Sequence, residues 1–556
     1  MSDSRKVMIV GLDGLTFDLL DRWCEEGELP YFQRLLSEGV RADLRSTLPP
    51  LTGPAWSSFQ TGVNPGKHGI YDWRSSETNT DGKEMVDSTN IKTKTIWDLF
   101  TQADLNVGVI GVPVTYPPKK IRGFMTTGLL TPNGAEDYVY PPNLKGDLER
   151  EVGRYVVAPT HAEMAVNTRS WISELGQSIN NRRETASYLL NNQPWDVSMV
   201  YFMETDTVMH HLYHTVMEED ESAVSQFRSV QRPVLEIHKK VEAAVERLIE
   251  DVADDNTTVL LVSDHGFGPL EWIFNVNSWL LEKGYLSLKD DLGTKLKVFS
   301  QRFGLNQRNL YQLGNLLGPL GRGQKWDMNA FSNQLGKFFL SMEDIDWEET
   351  QAFSRGGVTG SIRLNIAGRD GSSGVPRHEV NRVRDSLIRD LYDLRSPYTD
   401  EKVVDKAYRK EEVYAGPYLT MAPDILFTTK GMRTDTGGMT VFKTLDPIIP
   451  AFAISGTHRM NGVFAANGPE IQKGTSLSEM GITDVAPTIL ALLGLDIPTY
   501  MDGEVRSDIF EESYRESLGL RYDDGEDMSP DQEDGGSGSS DDEALENRLK
   551  GLGYLA

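Results

Sequence analysis

Val7-Met8-Ile9-Val10-Gly11-Leu12-Asp13-Gly14 is six apolar or small residues stopped by a carboxylate and a glycine. The run is too short for a helix and does not alternate with polar residues. It therefore predicts a strand buried on both faces, followed by a turn. Ser198-Met-Val-Tyr-Phe202 repeats the pattern and is followed by Glu204-Thr205-Asp206. Thr258-Val-Leu-Leu-Val-Ser263 repeats it again and is closed by Asp264-His265-Gly266. Between these two, Val234, Ile237, Val241, Val245, Leu248 and Val252 recur at spacings of three and four, the period of a helix. Strand, helix and strand in that order predict an α/β fold, with a mostly parallel central sheet flanked by helices.

The rest of the chain is organised around this core. Residues 1–270 read as its first part. Residues 271–351 lose the strand pattern among repeated Gly, Gln and Asn, and read as an inserted cap. Residues 352–515 return to the core: 352–376 are β-rich, Asp424-Ile-Leu-Phe427 is a further buried run, and 482–495 form a closing helix ending at Gly494. Residues 516–556 are an acidic tail with a flexible Gly/Ser link at 535–540 and a short terminal helix, 544–555, that docks elsewhere.

Of 556 residues, 83 are acidic and 56 basic, a formal net charge of −27. Eleven acidic and three basic residues from Arg521 to Ala556 supply eight of those excess charges. Such a surface excludes nucleic-acid binding driven by phosphate neutralisation and docking on an anionic membrane. It suits solubility in a salt-rich (halophilic) cytoplasm. Cys24 is the single cysteine, so no intramolecular disulfide forms, consistent with a reducing cytoplasmic setting. No stretch of about 20 apolar residues predicts a membrane span.

The strand ends deliver Asp13, Asp206 and Asp264 to one edge of the sheet, where open α/β sheets bind ligands. Three carboxylates gathered there require a cation. Histidines accompany them: His210 lies four residues after Asp206, His265 adjoins Asp264, and His458 comes from Ser455-Gly-Thr-His458. Imidazole with carboxylate favours Zn2+, with Mn2+ or Fe as alternatives, over magnesium or calcium. Six ligands exceed one tetrahedral ion and suit two divalent ions, which can clamp both oxygens of a phosphoryl transfer. Thr52, in Pro49-Pro-Leu-Thr-Gly-Pro-Ala-Trp56, is the candidate hydroxyl nucleophile. It is placed to open the helix running toward Thr61-Gly62, where an N-terminus favours phosphate. His68 is read as ordering the turn before Ile70, and His211 and His214 as supporting or surface residues. Arg369 and Arg459 are candidate bidentate grips on a substrate phosphate, and Trp73 a candidate stacking surface.

These residues, in this order, resemble the nucleotide pyrophosphatase/type I phosphodiesterase branch of the alkaline phosphatase superfamily. The marks are Asp-Gly after the first strand, Thr52 in Pro-rich sequence, Thr61-Gly-Val-Asn-Pro-Gly-Lys-His-Gly-Ile70, Asp206-x-x-x-His210, Asp264-His-Gly266, Gly456-Thr-His458 and Asp484-Val-Ala-Pro-Thr488. Gly111-Val-Pro-Val-Thr-Tyr-Pro-Pro118, Gly360-Ser-Ile-Arg-Leu-Asn365 through Arg369, and Tyr414-Ala-Gly-Pro-Tyr418 resemble a prokaryotic group of predicted phosphohydrolases or phosphomutases within it.

The resemblance implies one metal on Asp206, His210 and His458, and a second on Asp13, Asp264 and His265 with Thr52 bridging to it. It implies hydrolysis of a small-molecule phosphate ester through a phospho-threonine. A phosphomutase or phosphotransferase is the alternative on the same site, and an idle metal-binding partner protein the alternative of another class. The chain departs from many nucleotide pyrophosphatases at Trp73, where they carry an Asn that contacts phosphate. Thr52-Gly-Pro-Ala-Trp56 also lacks the Cys/Ser-x-Pro-x-Arg pattern of sulfatases.

Overall fold

A computed structural model describes residues 5–75, 84–159, 168–217, 232–306, 308–309, 339–356, 360–370, 373–436, 442–524, 529 and 542–553. The expected cap and acidic link fall partly outside these residues.

The opening run forms the strand Lys6–Leu12 at the middle of a ten-stranded sheet. It pairs in parallel with Val197–Phe202 on one side and Thr257–Val262 on the other. Val107–Ile110 and Gly123–Thr126 extend the parallel order beyond Val197–Phe202. On the other side, Asn461–Asn467 lies antiparallel to Thr257–Val262 and leads to Val40–Arg45.

Side chains of the central strand alternate between two apolar layers. Val7 and Ile9 face one, with the helices Thr52–Thr61, Ile96–Gln102 and Val485–Leu492. Met8, Val10 and Leu12 face the other, with Phe17–Glu25, Pro30–Glu38, Thr168–Asn192 and Pro233–Val252. Burial on both faces is why the sequence reads as an unbroken apolar run. Each such side chain contributes about 1.5–3 kcal/mol relative to exposure.

A third apolar cluster has its own sheets. An antiparallel sheet joins Ala352–Phe353, Gly360–Leu364, Ile425–Thr429 and Val404–Arg409. A second sheet joins Thr434–Asp435, Trp272–Phe274 and Ile448–Pro450. Its buried members run from Phe274 to Ile448, crossing residue 351, where the sequence reading returns to the core. Those short antiparallel strands are covered by Val380–Tyr392 and belong with the inserted body rather than with the large sheet.

Register decides where the site forms. Leu12 sits beside Phe202, Gly11 beside Val262, and the Asp13 amide donates to the Phe202 carbonyl at 3.0 Å. The three strands therefore end side by side. The strand Gly456–Arg459 pairs antiparallel with Gly266–Pro269, setting His458 opposite Phe267, just past Asp264 and His265. Among the described residues no helix is long and apolar enough to cross a membrane.

Candidate metal centre

Asp13 follows the central strand directly, and its carboxylate accepts a short hydrogen bond from the Tyr201 hydroxyl on the neighbouring strand. Asp206 and His210 lie one turn apart on the helix Glu204–Leu212, with His210 Nε2 3.4 Å from an Asp206 oxygen. His458 Nε2 lies 3.4 Å from the other Asp206 oxygen. His265 Nε2 is 3.3 Å from both Asp13 and Asp264. Asp13, Asp264 and His265 form one group of convergent ligand atoms, and Asp206, His265 and His458 another, so His265 stands between the two.

Thr52 is the first residue of the helix Thr52–Thr61, and its Oγ1 lies 3.3 Å from His265 Nε2. Leu51 before it is extended, so the chain turns sharply into the helix at this point. The Pro50 carbonyl just upstream accepts from His458 Nδ1 at 2.7 Å, which ties the Thr52 loop to the cluster. All seven residues are buried.

The imidazole tautomers follow from their partners. Nδ1 donates to the Gly456 carbonyl in His210 (3.2 Å), to Pro50 in His458, and to the Gly266 carbonyl in His265 (3.1 Å). A carbonyl only accepts, so each Nδ1 carries the proton and each Nε2 turns a lone pair into the cluster. Burial favours this neutral form: it pushes His458 down to about 4 and His210 and His265 well below their ordinary value. His210 Nε2 and His458 Nε2 then face each other, lone pair to lone pair, at 3.0 Å.

The carboxylates carry the opposite strain. Burial and then the charge of Asp206 push Asp13 up to about 7, and burial with the charge of Asp13 pushes Asp264 well above the carboxylate range. Lone pairs and buried negative charge converging on one place are what a divalent cation relieves. The donor set, three imidazoles and three carboxylates, fits such ions.

Tyr201 is a site residue that the sequence reading misses; its signal is a hydroxyl near the end of a mostly apolar strand. Burial and the Asp13 charge keep the phenol protonated, so it remains a donor that orients Asp13. Such partners are worth about 10–100-fold in metal affinity. Tyr201→Phe keeps the ring, which packs edge-on to Trp56, and is expected to weaken zinc binding about 10-fold in a competitive chelator titration.

Each of the three substrate-binding candidates is already engaged by other parts of the protein. Arg369 gives its guanidinium to Asp370, to both oxygens of Asp424 and to the Leu364 carbonyl. It is an internal tie of the inserted body. Arg459 donates to the carbonyls of Met432, Thr457, His458 and Pro269, stitching the His458 strand to its neighbours. Trp73 is wholly buried in the core, with its ring against Gly53 in the first turn of the Thr52 helix. It supports the Thr52 helix from behind.

His68 orders its turn, accepting at Nδ1 from the Ile70 amide (3.1 Å) while Nε2 meets Ser58 Oγ at 2.9 Å. His211 donates to the Gly551 carbonyl (3.1 Å), and His214 meets Ser455 Oγ (3.1 Å).

Among solved structures, murine ectonucleotide pyrophosphatase/phosphodiesterase 5 is similar at 14% identity, over 91% of this chain and 100% of that one, with a TM-score of 0.47. The human protein of the same name is 14% identical over the same shares, with a TM-score of 0.46. An inactive variant of the murine protein in complex with AMP is 13% identical, again over 91% and 100%, with a TM-score of 0.47. The match that spans the strand-end motifs themselves is to a family: residues 7–431, from the central strand past Asp264 and into the inserted body, fit the type I phosphodiesterase/nucleotide pyrophosphatase model, and this chain belongs to that family of phosphoric ester hydrolases.

Proposed function

We propose that the protein hydrolyses a small-molecule phosphate ester at a two-metal site, with Thr52 as nucleophile. Asp206, His210 and His458 would hold one ion, and Asp13, Asp264 and His265, beside Thr52, the other. The observation that carries this is the convergence of two imidazole Nε2 atoms, 3.0 Å apart and each 3.4 Å from Asp206, beside buried carboxylates pushed toward neutrality. A divalent cation relieves both the facing nitrogens and the buried negative charge. Zinc suits the imidazole-rich donor set best. Bound there, two divalent ions neutralise charge on the attacking and leaving oxygens.

The chain's own groups do the rest. Thr52 Oγ1 forms the new bond to phosphorus as the ester oxygen leaves with its alcohol. Water then takes the phosphoryl group from Thr52 and restores the hydroxyl. The N-terminus of the ten-residue helix favours the phosphate charge at this position. His458 holds the Pro50 carbonyl and so fixes the approach of Thr52. The acidic surface and the single cysteine support a salt-rich, reducing cytoplasm as the setting.

The test is metal analysis with turnover of mono- and bis-(4-nitrophenyl) phosphate, with zinc, manganese and iron supplied. About two ions per chain are expected, with ester cleavage lost in EDTA and restored by zinc. Protein that binds no transition metal overturns the reading. Reaction in 18O-water is expected to put solvent oxygen into the released phosphate. Label missing from it assigns the same site to a mutase or transferase.

A further inference from the structure

The acidic tail ends in a helix, Asp542–Leu552, that lies against the metal centre. Leu545, Leu549 and Leu552 are buried and join the apolar layer that holds Leu51, Trp73 and the Thr52 helix. Polar ties fix its course. Glu546 pairs with Arg74 at 2.9 Å, Asp542 accepts from the Met85 amide at 3.4 Å, and Arg548 donates to the Thr131 carbonyl at 2.5 Å and to Asn133.

The helix then stops on Gly551-Leu552-Gly553. The Gly551 carbonyl accepts from His211 Nε2, and Trp171 stands edge-on to that same imidazole. Gly553 has φ +93°, and a Cβ there would lie 2.6 Å from His210 Cβ and Cγ and 2.9 Å from Cδ2. Only glycine combines that backbone with so close an approach. The contact falls on the stem and the carbon edge of His210, while its Nδ1 is held by Gly456 and its Nε2 points at Asp206 and His458.

We propose that residues 542–553 are a positioning element of the metal centre: a docked buttress that holds His210 in its ligating rotamer through Gly553, and the adjoining turn through the Gly551–His211 hydrogen bond. This rests on the reading of His210 as a metal ligand. It gives the end of the tail a role that its charge and composition do not suggest. The link between metal and segment runs both ways: what the docked segment adds to metal affinity, the metal adds to docking.

The test uses Co2+ as a spectroscopic probe, titrated into the metal-free full chain. Wild type, Gly553→Val, Leu549→Asp and His210→Ala are compared. Gly553→Val crowds His210 directly, whereas Leu549→Asp loosens the helix without touching the imidazole. Both are expected to bind one ion like wild type and the other about 10–100-fold more weakly, with an altered visible spectrum. Loss at one ion alone is what general destabilisation does not produce. If His210→Ala loses an ion while both tail variants bind two with wild-type affinity and spectrum, the buttress is overturned and the ligand assignment stands. If His210→Ala also binds both ions like wild type, the ligand assignment is wrong and the buttress falls with it.

Discussion

Thr52→Ala is expected to lower kcat on the preferred ester by at least about 10³-fold, because removal of a nucleophile leaves only binding and electrostatic stabilisation. Metal content is expected to stay at wild type. Thr52 has one neighbour in the cluster, His265 Nε2 at 3.3 Å, whereas the six Asp and His side chains contact one another without it. The helix also survives the change: Leu51 occupies the cap position, no cap hydrogen bond depends on the Thr52 side chain, and alanine is a good helix former. The measurements are steady-state kinetics and metal analysis on the same preparations. Turnover within about tenfold of wild type would remove Thr52 as nucleophile and point to direct attack by water.

The parts of this site that were legible in the sequence are local. Residues 7–12, 198–202 and 258–263 announce buried strands because both faces of each are covered, and the residues that close them sit at one sheet edge because the strands are parallel. Asp206 and His210 share a helical turn, so their spacing alone brings them together.

What was not legible depends on pairing between distant segments. His458 is marked as a ligand by Gly456-Thr-His458, but the pairing of Gly456–Arg459 with Gly266–Pro269, about 190 residues away in sequence, which carries it to the cluster, leaves no mark on either strand. The inserted body was cut short at 351 for a similar reason. Its strands are a few residues long, and their shared core appears only once Ala352–Phe353 and Ile425–Thr429 are side by side across Gly360–Leu364. Arg369 and Arg459 looked like anion grips because sequence reports charge and not its partners; Asp424 and a set of backbone carbonyls already hold them. Trp73 shows the same limit for aromatic residues, since a stacking surface and a core residue have the same composition. The terminal helix was readable as a helix that docks, but its target was not, because Gly551 and Gly553 meet His211 and His210 more than 300 positions away.

The pH dependence of metal binding follows from which ligands still carry protons. An ordinary histidine titrates near 6.5, so a histidine-rich site is expected to lose affinity below that value. Here burial has placed His458 at about 4, and His210 and His265 well below their ordinary value. Those rings are neutral throughout the range above about pH 5 and release nothing when an ion binds. The protons sit on the carboxylates instead. Asp13 is pushed up to about 7 in the metal-free cluster and Asp264 well above the carboxylate range, so the pair holds protons that ordinary carboxylates would have lost. A raised carboxylate holds its proton against the metal below its pKa and yields as pH rises through it. Metal affinity is therefore expected to rise with pH up to about 7, where Asp13 titrates, and to flatten above it as fewer protons compete with the ion. Titration calorimetry in buffers of different ionisation enthalpy is the check, with more protons released on binding below about pH 7 than above it. Tyr201→Phe, which removes a hydrogen bond that lowers Asp13, is expected to move the break between the two regimes to higher pH. A profile that breaks near 6.5, with no response to that substitution, would return the titration to the imidazoles and contradict the burial of protons on Asp13 and Asp264.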